Sequence, residues 1–386
     1  MKITVDTCVF NTSDVRKNTE LTIKSDLAKK SSVNTKKLIA YPPFINAHDH
    51  LISDWFPKAG FGRKYENVND WIEDMKATDS FLERNKIWVN DGSFDLTDER
   101  ANLIIQLGIY KNLFSGCVFV QDHIPKQKKE YYQDNPITII EDYTQSHSIS
   151  MGNWWGGKEA IEEWKEAKNK FPFIIHLAEG KDDIARQSFK MLEEQNLLQP
   201  NTLLIHGIAL TKEEIKKCAE TGTSICWCPE SNLYLIGETL DIESCLEYGV
   251  NVALGTDSTM SGSVNLLSEL KFARKYFPDI SSNDLFKMIT ENACKALCFR
   301  GSKAKLNNET SELLLLNKKS DDPFENIIKC DISDIELLIH KGIPLYGNAD
   351  YLSNFEVDPG NYFFYGNNRF VIGNPQNTIN KIKLIT

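Results

Sequence analysis

No stretch of this chain approaches the roughly 20 apolar residues of a membrane-spanning helix, so no transmembrane segment and no membrane partner are expected. The opening residues, Met1-Lys-Ile-Thr-Val-Asp-Thr-Cys8, hold a lysine but no apolar core of the length a secretory signal needs, and none is expected. A disulfide framework is missing as well. The nine cysteines are an odd number scattered without pairing, which points to a reducing, cytoplasmic compartment. Cys226-x-Cys228 lacks the second pair that a structural zinc site requires and reads as buried packing at a strand end. Positive charge is in deficit: the net charge of −10 argues against nucleic acid and anionic membrane surfaces as partners. There is no glycine loop to cradle phosphates, no nucleotide-cofactor fingerprint, no internal repeat and no low-complexity tract. Redox and group-transfer chemistry therefore have nothing in the sequence to support them.

What is present is a set of short apolar runs that end in metal-capable residues. Asn46-Ala47-His48-Asp49-His50 follows the run from Lys37 to Ile45. On a strand, side chains two apart share a face, so His48 and His50 can aim two imidazoles at one point. Ile174-Ile175-His176 is followed by Glu179, Leu203-Leu204-Ile205 ends in His206, and Val252-Ala253-Leu254 leads to Asp257. Four of the seven histidines fall in this set. Imidazole nitrogen and carboxylate oxygen suit a borderline divalent ion such as zinc, and a catalytic site leaves one position open.

The 386 residues exceed the usual size of a single core, so one large domain with a smaller one is expected. Residues 1–43 read as short strands, and strands return from about residue 311 at Ser311–Leu316, Ile335–Ile339 and Tyr362–Tyr365. Residues 1–43 and 305–386 are expected to form a small β-sandwich. Between them, residues 44–304 alternate strands with helices, the pattern of parallel βαβ units. Seven or eight such units imply an α/β fold of the (β/α)8 barrel type, with its site at the C-terminal strand ends. The stretch from residue 122 to 172 is too short for two regular units of about thirty residues each. An irregular barrel is expected there, with Pro136–Met151 as one long strand or as two with a clipped connection.

The ordered motifs resemble those of the amidohydrolase superfamily, in particular its cytosine-deaminase and triazine-hydrolase branch. "PPFINAHDHL" is similar to that family's first-strand motif, "IHLAEG" to its fifth, "LLIHG" to its sixth, "CWCPESNLYL" to its seventh and "VALGTDS" to its eighth. The resemblance covers nearly the whole chain. It implies metal ligation by His48, His50, His176 and Asp257, a proton shuttle at Glu179, and His206 beside the reacting carbon, with binding of a second metal by His206 left open. Family members with two metals use a carboxylated lysine on the fourth strand. No lysine lies between Lys129 and Lys158, so the resemblance implies one divalent ion, unless Glu141 or Asp142 bridges. Zinc is expected, with iron and manganese left open. The implied activity is a metal-dependent hydrolase acting on a carbon–nitrogen bond of a small molecule. Deamination of a small nitrogen heterocycle is the first expectation and amide hydrolysis the second, with a non-catalytic binding protein the remote third. A homodimer is left open.

Each residue also has a plainer role. Asp257 could cap the following helix, and Glu179 could favour the helix dipole near Asp182. His123 and His147 could reach the pocket, while His340 is expected to stand apart. One or more of Trp55, Trp154, Trp155 and Trp227 is expected to wall the pocket, Asn232 to brace the seventh loop, and the segment from Asp54 to about Asn90 to cover the mouth.

Overall fold

The computed structural model describes residues 1–87, 95–150, 152, 157–299 and 305–385. Its strands are β1 Lys2–Asn11, β2 Asp14–Ile23, β3 Ser32–Tyr41, β4 Phe44–Asp49, β5 Cys117–Asp122, β6 Thr138–Ile139, β7 Thr144–Ser148, β8 Phe173–Leu177 and β9 Thr202–His206. They continue with β10 Ser224–Trp227, β11 Val252–Leu254, β12 Glu309–Thr310, β13 Leu313–Asn317, β14 Ile335–His340, β15 Ile343–Asn348, β16 Tyr362–Tyr365 and β17 Arg369–Ile372.

β4 to β11 form two parallel sheets, β4-β5-β6 and β7-β8-β9-β10-β11. Nearly every residue of β4, β5, β8, β9, β10 and β11 is buried, as expected of parallel strands covered on both faces. The two sheets meet where the amides of Thr256 and Asp257, just past β11, donate to the His48 carbonyl at 3.0 and 3.2 Å. Between β6 and β7 the described residues form no ladder. The irregular stretch is resolved as two short strands joined without a helix, preceded by a single helical turn at Lys129–Tyr132 and followed by Ala160–Ala167.

The helices follow their sequence signals. Lys212–Thr221 begins with a capping box, Thr211 with Glu214, and ends at Gly222 in the left-handed conformation, φ 73°. Asp183–Glu194 is capped by the Asp182 side chain and buries Ala185, Ser188, Phe189 and Leu192, one face of an amphipathic helix. Ser282–Met288 and Glu291–Ala296 are separate helices, because Thr290 between them leaves helical geometry at φ −133°, ψ −96°.

The chain's two ends meet in one nine-stranded sheet, β12-β2-β1-β3-β13-β14-β15-β17-β16. Alternation divides its side chains between two cores. Ile39, Tyr41, Leu314 and Leu316 join the core of the parallel sheets, while Leu38, Ala40, Leu313 and Leu315 join a second cluster with Ile3, Val5, Leu337, Ile339 and Phe370. His340 stands away from the other histidines, as expected. It bonds Thr138 Oγ1 at 2.8 Å and Glu312 Oε2 at 2.7 Å, tying β6 to the nine-stranded sheet.

Candidate metal and proton-transfer site

The C-terminal ends of the parallel strands bring His48, His50, His176, His206 and Asp257 together. His48 lies on β4 and His50 one residue beyond it; their rings meet edge to face with centroids 4.8 Å apart. His176 on β8 stacks parallel to His50 at 5.5 Å and lies 5.0 Å from His48. Asp257 Oδ1 is 3.7 Å from His50 Nε2. Potential ligand atoms group in two sets sharing His48: His48, His50 and Asp257, and His48, His176 and His206, each set within 4.8 Å. His206 and Asp257 hold their positions with φ +72° and +54°, a left-handed backbone that costs non-glycine residues energy and concentrates at functional sites. Gly255 lets the last turn of β11 approach β4; a Cβ there would lie 2.7 Å from the His48 Cβ and 2.8 Å from the Cys226 sulfur.

The donor set fits a divalent ion. Among the described residues neither ring nitrogen of buried His48 has a hydrogen-bond partner, and His206 Nε2 has none. Each would be a costly orphan without a ligand. Two rings have their tautomers set by the other nitrogen. His176 Nδ1 bonds the His147 carbonyl at 2.9 Å, and His206 Nδ1 bonds Asn232 Oδ1 at 2.8 Å. Both nitrogens must therefore donate, leaving Nε2 with its lone pair, the usual arrangement for a metal-binding histidine.

Residues 156–303 match the Amidohydrolase family. Over 365 residues the chain is 25% identical to a 5-methylthioadenosine/S-adenosylhomocysteine deaminase of Pyrococcus horikoshii, an alignment covering 80% of this chain and 83% of that one. It is 37% identical over 154 residues to the protein of the same name in Pyrococcus abyssi, covering 36% and 35%. The fold is similar to that of atrazine chlorohydrolase TrzN from Arthrobacter aurescens TC1 complexed with zinc, with TM-score 0.71, 16% identity, and coverage of 100% and 99%. The match and the relatives support the amidohydrolase superfamily for this chain.

Electrostatics at the site keep the rings neutral. Burial holds the imidazoles of His48, His123 and His176 well below the ordinary histidine range, and lowers those of His50 and His206. Burial alone would raise the Asp257 carboxyl. Facing His50 and His206, and accepting from Ser231 and Ser258, it is instead held below its usual value. Ser231 and Ser261 occupy its Oδ2 at 2.6 and 2.9 Å, and the Ser258 amide donates to Oδ1 at 2.6 Å. Burial, with the charge of Asp257, pushes Glu179 well above the carboxylate range. Glu179 Oε1 stands 3.4 Å from His206 Nε2, at ion-pair distance but without hydrogen-bond geometry.

The plainer roles fall to other residues. Asn265, not Asp257, caps the helix Leu266–Tyr276, and Asp182, not Glu179, caps Asp183–Glu194. Both His123 and His147 reach the cluster, at 4.2 and 5.1 Å from the His176 ring. Glu141 and Asp142 are exposed before β7, so neither can bridge metals here. Trp227 is buried against Phe277 with its N–H on Thr239 Oγ1, and Trp55 is half exposed with its N–H on the Leu107 carbonyl; neither packs against the site histidines. Trp154 and Trp155 lie outside the described residues. Asn232 does more than brace its loop, since it orients His206.

The segment after Asp54 folds into helices Val68–Met75 and Asp79–Ile87 and docks on the loops around the site. The Val68 amide donates to the Glu179 carbonyl at 3.1 Å and the Lys181 amide to the Glu66 carbonyl at 2.7 Å. Lys58 reaches Glu230 Oε1 at 2.8 Å and the Ser261 carbonyl at 2.6 Å. A narrow cleft beside His176 and Glu179 is lined by Asn67, Val68, Asn69, Ser148, Ser150 and Ile184.

Sequence reasoning missed Lys111. Its side chain is fully buried and bonds Asp49 Oδ1 at 2.8 Å and Asp54 Oδ1 at 2.7 Å. Burial alone would lower its ammonium pKa, but Asp49 and Asp54 raise it above the ordinary lysine value. Ile104, Gly108 and Lys111 follow the spacing of one helical face, which is the signal that could have found it.

Proposed function

We propose that this chain is a metal-dependent aminohydrolase that removes the amino group of a small nitrogen heterocycle as ammonia. The observation that carries the reading is Glu179 Oε1 3.4 Å from His206 Nε2, a buried carboxyl beside the His48–Asp257 donor set. The deaminases among its relatives support the reaction type. The zinc of the structurally similar chlorohydrolase supports the ion. The ligands in this reading are His48, His50, His176 and Asp257, holding one divalent ion, zinc before iron or manganese. In this reading residues 44–304 make up the barrel domain, and residues 1–43 with 305–386 the sandwich. Nine free cysteines, seven of them buried, support a cytoplasmic location; among the described residues no helix is long and apolar enough to cross a membrane.

A divalent ion in such a site lowers the pKa of a coordinated water to about 7. Asp257 would accept a proton from the attacking water as its oxygen adds to the carbon bearing the amino group. Glu179 gives its proton to the adjacent ring nitrogen, which takes the electron pair of the C=N bond. Asp257 then passes its proton to the amino group, which leaves as ammonia. Glu179 recovers a proton from the new hydroxyl as the carbonyl forms, so both residues end as they began. His206 holds a lone pair at Nε2 in the tautomer fixed by Asn232. In that tautomer Nε2 has no proton to give to the developing oxygen, and His206 faces Glu179 as an acceptor.

A screen of aminopurine nucleosides, aminopyrimidines, triazines and pterins for ammonia release tests the reading, beside a parallel set of hydantoins, imidazolones and acyl amino acids. Ammonia from the first set supports it. Turnover of the second set alone, without ammonia, makes the protein an amide hydrolase instead.

A further inference from the structure

We infer that Lys111 is a positioning residue for the metal site, fixing the backbone from which His48, His50 and Asp257 project. The inference rests on the ligand assignment above. Lys111 Nζ lies at the junction of the two parallel sheets. Beyond the carboxylates of Asp49 and Asp54, it donates to Thr256 Oγ1 and to the Asp257 carbonyl, each at 3.1 Å. Asp49 is the residue between the two histidines, and its Oδ1 also accepts from the His50 amide at 2.9 Å. Asp257 is the residue whose backbone is held at φ +54°. One ammonium thus grips the first and last strands of the parallel set on the backbone side of the donor atoms.

The surroundings leave the grip little freedom. Asn46 Nδ2 bonds Asp49 Oδ2, Asn112 Oδ1 and Thr256 Oγ1 within 2.8–3.1 Å, and Asn112 Nδ2 bonds Asp49 Oδ2 at 2.8 Å. The Lys111 helix is seated against the turn after His50 at Gly108, where a Cβ would lie 2.9 Å from the Leu51 carbonyl oxygen and 3.0 Å from Asp54 Oδ2. A buried ion network adds little net stability over an apolar core, but it can specify one arrangement; among the described residues every polar side-chain atom of this one but Asp54 Oδ2 finds a partner. Here that arrangement sets the spacing between β4 and β11, and with it the approach of Asp257 to His50.

The test is metal retention in Lys111→Met and in Asp49→Asn/Lys111→Met, with Asp49→Asn alone as control. The double variant removes opposite charges together, and the side-chain amide oxygen it introduces beside His50 can still accept from the His50 backbone amide. It carries the test if the single variant fails to fold. Release of zinc to a chelator, the visible spectrum of the cobalt-substituted protein and cooperative thermal melting are read on each. Partners that orient metal ligands typically change affinity by about 10–100-fold. The expected result is a cooperatively folded double variant that releases zinc at least about tenfold faster than both the parent and Asp49→Asn, with an altered cobalt spectrum. A folded double variant with the control's release rate and cobalt spectrum overturns the inference alone. A parent chain that holds no divalent ion overturns the proposed function, and this inference with it.

Discussion

Glu179 Oε1 lies 3.4 Å from His206 Nε2, while Nδ1 of the same ring donates to Asn232 Oδ1 at 2.8 Å. The chain thus places a carboxyl whose pKa burial and Asp257 raise against an imidazole lone pair. A proton can pass between them without a large movement, which is what a shuttle requires.

Glu179→Gln should therefore keep the metal and lose most of its turnover. General acid–base groups contribute about 10²–10⁴-fold, and a loss of that size in kcat with an unchanged zinc content is expected. Elemental analysis and steady-state kinetics on one preparation decide it. Normal turnover would reduce Glu179 to a buried acid at the end of β8, and loss of zinc would make it a ligand.

Asn232→Leu removes the acceptor that fixes the His206 tautomer. The ring is then free to carry its proton on Nε2, where it no longer accepts from Glu179. Turnover should fall by about tenfold or more while zinc stays bound, by analogy with other partners that orient active imidazoles. Equal kinetics in parent and variant would show that the tautomer does not matter to the rate.

The strand ends were the most legible part of the sequence. A buried parallel strand is a short apolar run, and its last residue stands out when it is a histidine or aspartate. His48, His50, His176, His206 and Asp257 were found for that reason. Lys111 was not, because a lysine in a helix normally marks the solvated face, and only tertiary contact with Asp49 and Asp54 reverses that. The segment after Asp54 was readable as a cover but not as two helices, since much of its order comes from docking on Glu179, Glu230 and Met260 rather than from its own pattern. The helix-free step from β6 to β7 was legible only as a shortage of residues.

His50→Ala should empty the site. With His50 gone, the set His48, His50, Asp257 loses a donor and Asp257 loses its partner at 3.7 Å. The parent, purified without added metal, should carry one equivalent of a divalent ion per chain and the variant far less. Two equivalents in the parent, both needed for activity, would overturn the single-ion reading.

Lys58 ties the covering segment to the far side of the mouth through Glu230 and the Ser261 carbonyl, and its ammonium sits over the Tyr234 ring at 4.6 Å. Lys58→Ala should loosen the cover without touching the metal. The expected outcome is faster proteolysis within residues 54–87 and a KM raised a few-fold, with zinc content unchanged. A cleavage pattern identical to the parent's would show that the remaining contacts, such as Tyr65 amide to the Leu235 carbonyl at 2.9 Å, hold the segment alone.

Glu269 offers a pH-dependent test of folding separate from catalysis. It is fully buried; one oxygen accepts from the Glu230 amide at 3.0 Å and the other has no hydrogen-bond partner among the described residues. Burial is the largest cause that pushes its pKa up to about 8, with the charge of Glu230 adding to it. The sign follows from proton counting. Between the ordinary glutamate value of about 4.3 and about 8, the folded chain keeps a proton that the unfolded chain has lost. The stability conferred by that proton is complete below about pH 4 and disappears as pH rises to about 8. At about 1.4 kcal/mol per pH unit, the loss from this group amounts to roughly 4–5 kcal/mol. Glu269→Gln carries no such proton and should lack this term. Denaturant unfolding at about pH 5.5 and about pH 8.5 should show the parent losing several kcal/mol more than the variant over the interval. Parallel losses in the two proteins would mean that Glu269 is ionised across the whole range, with an unmet counter-charge beside it.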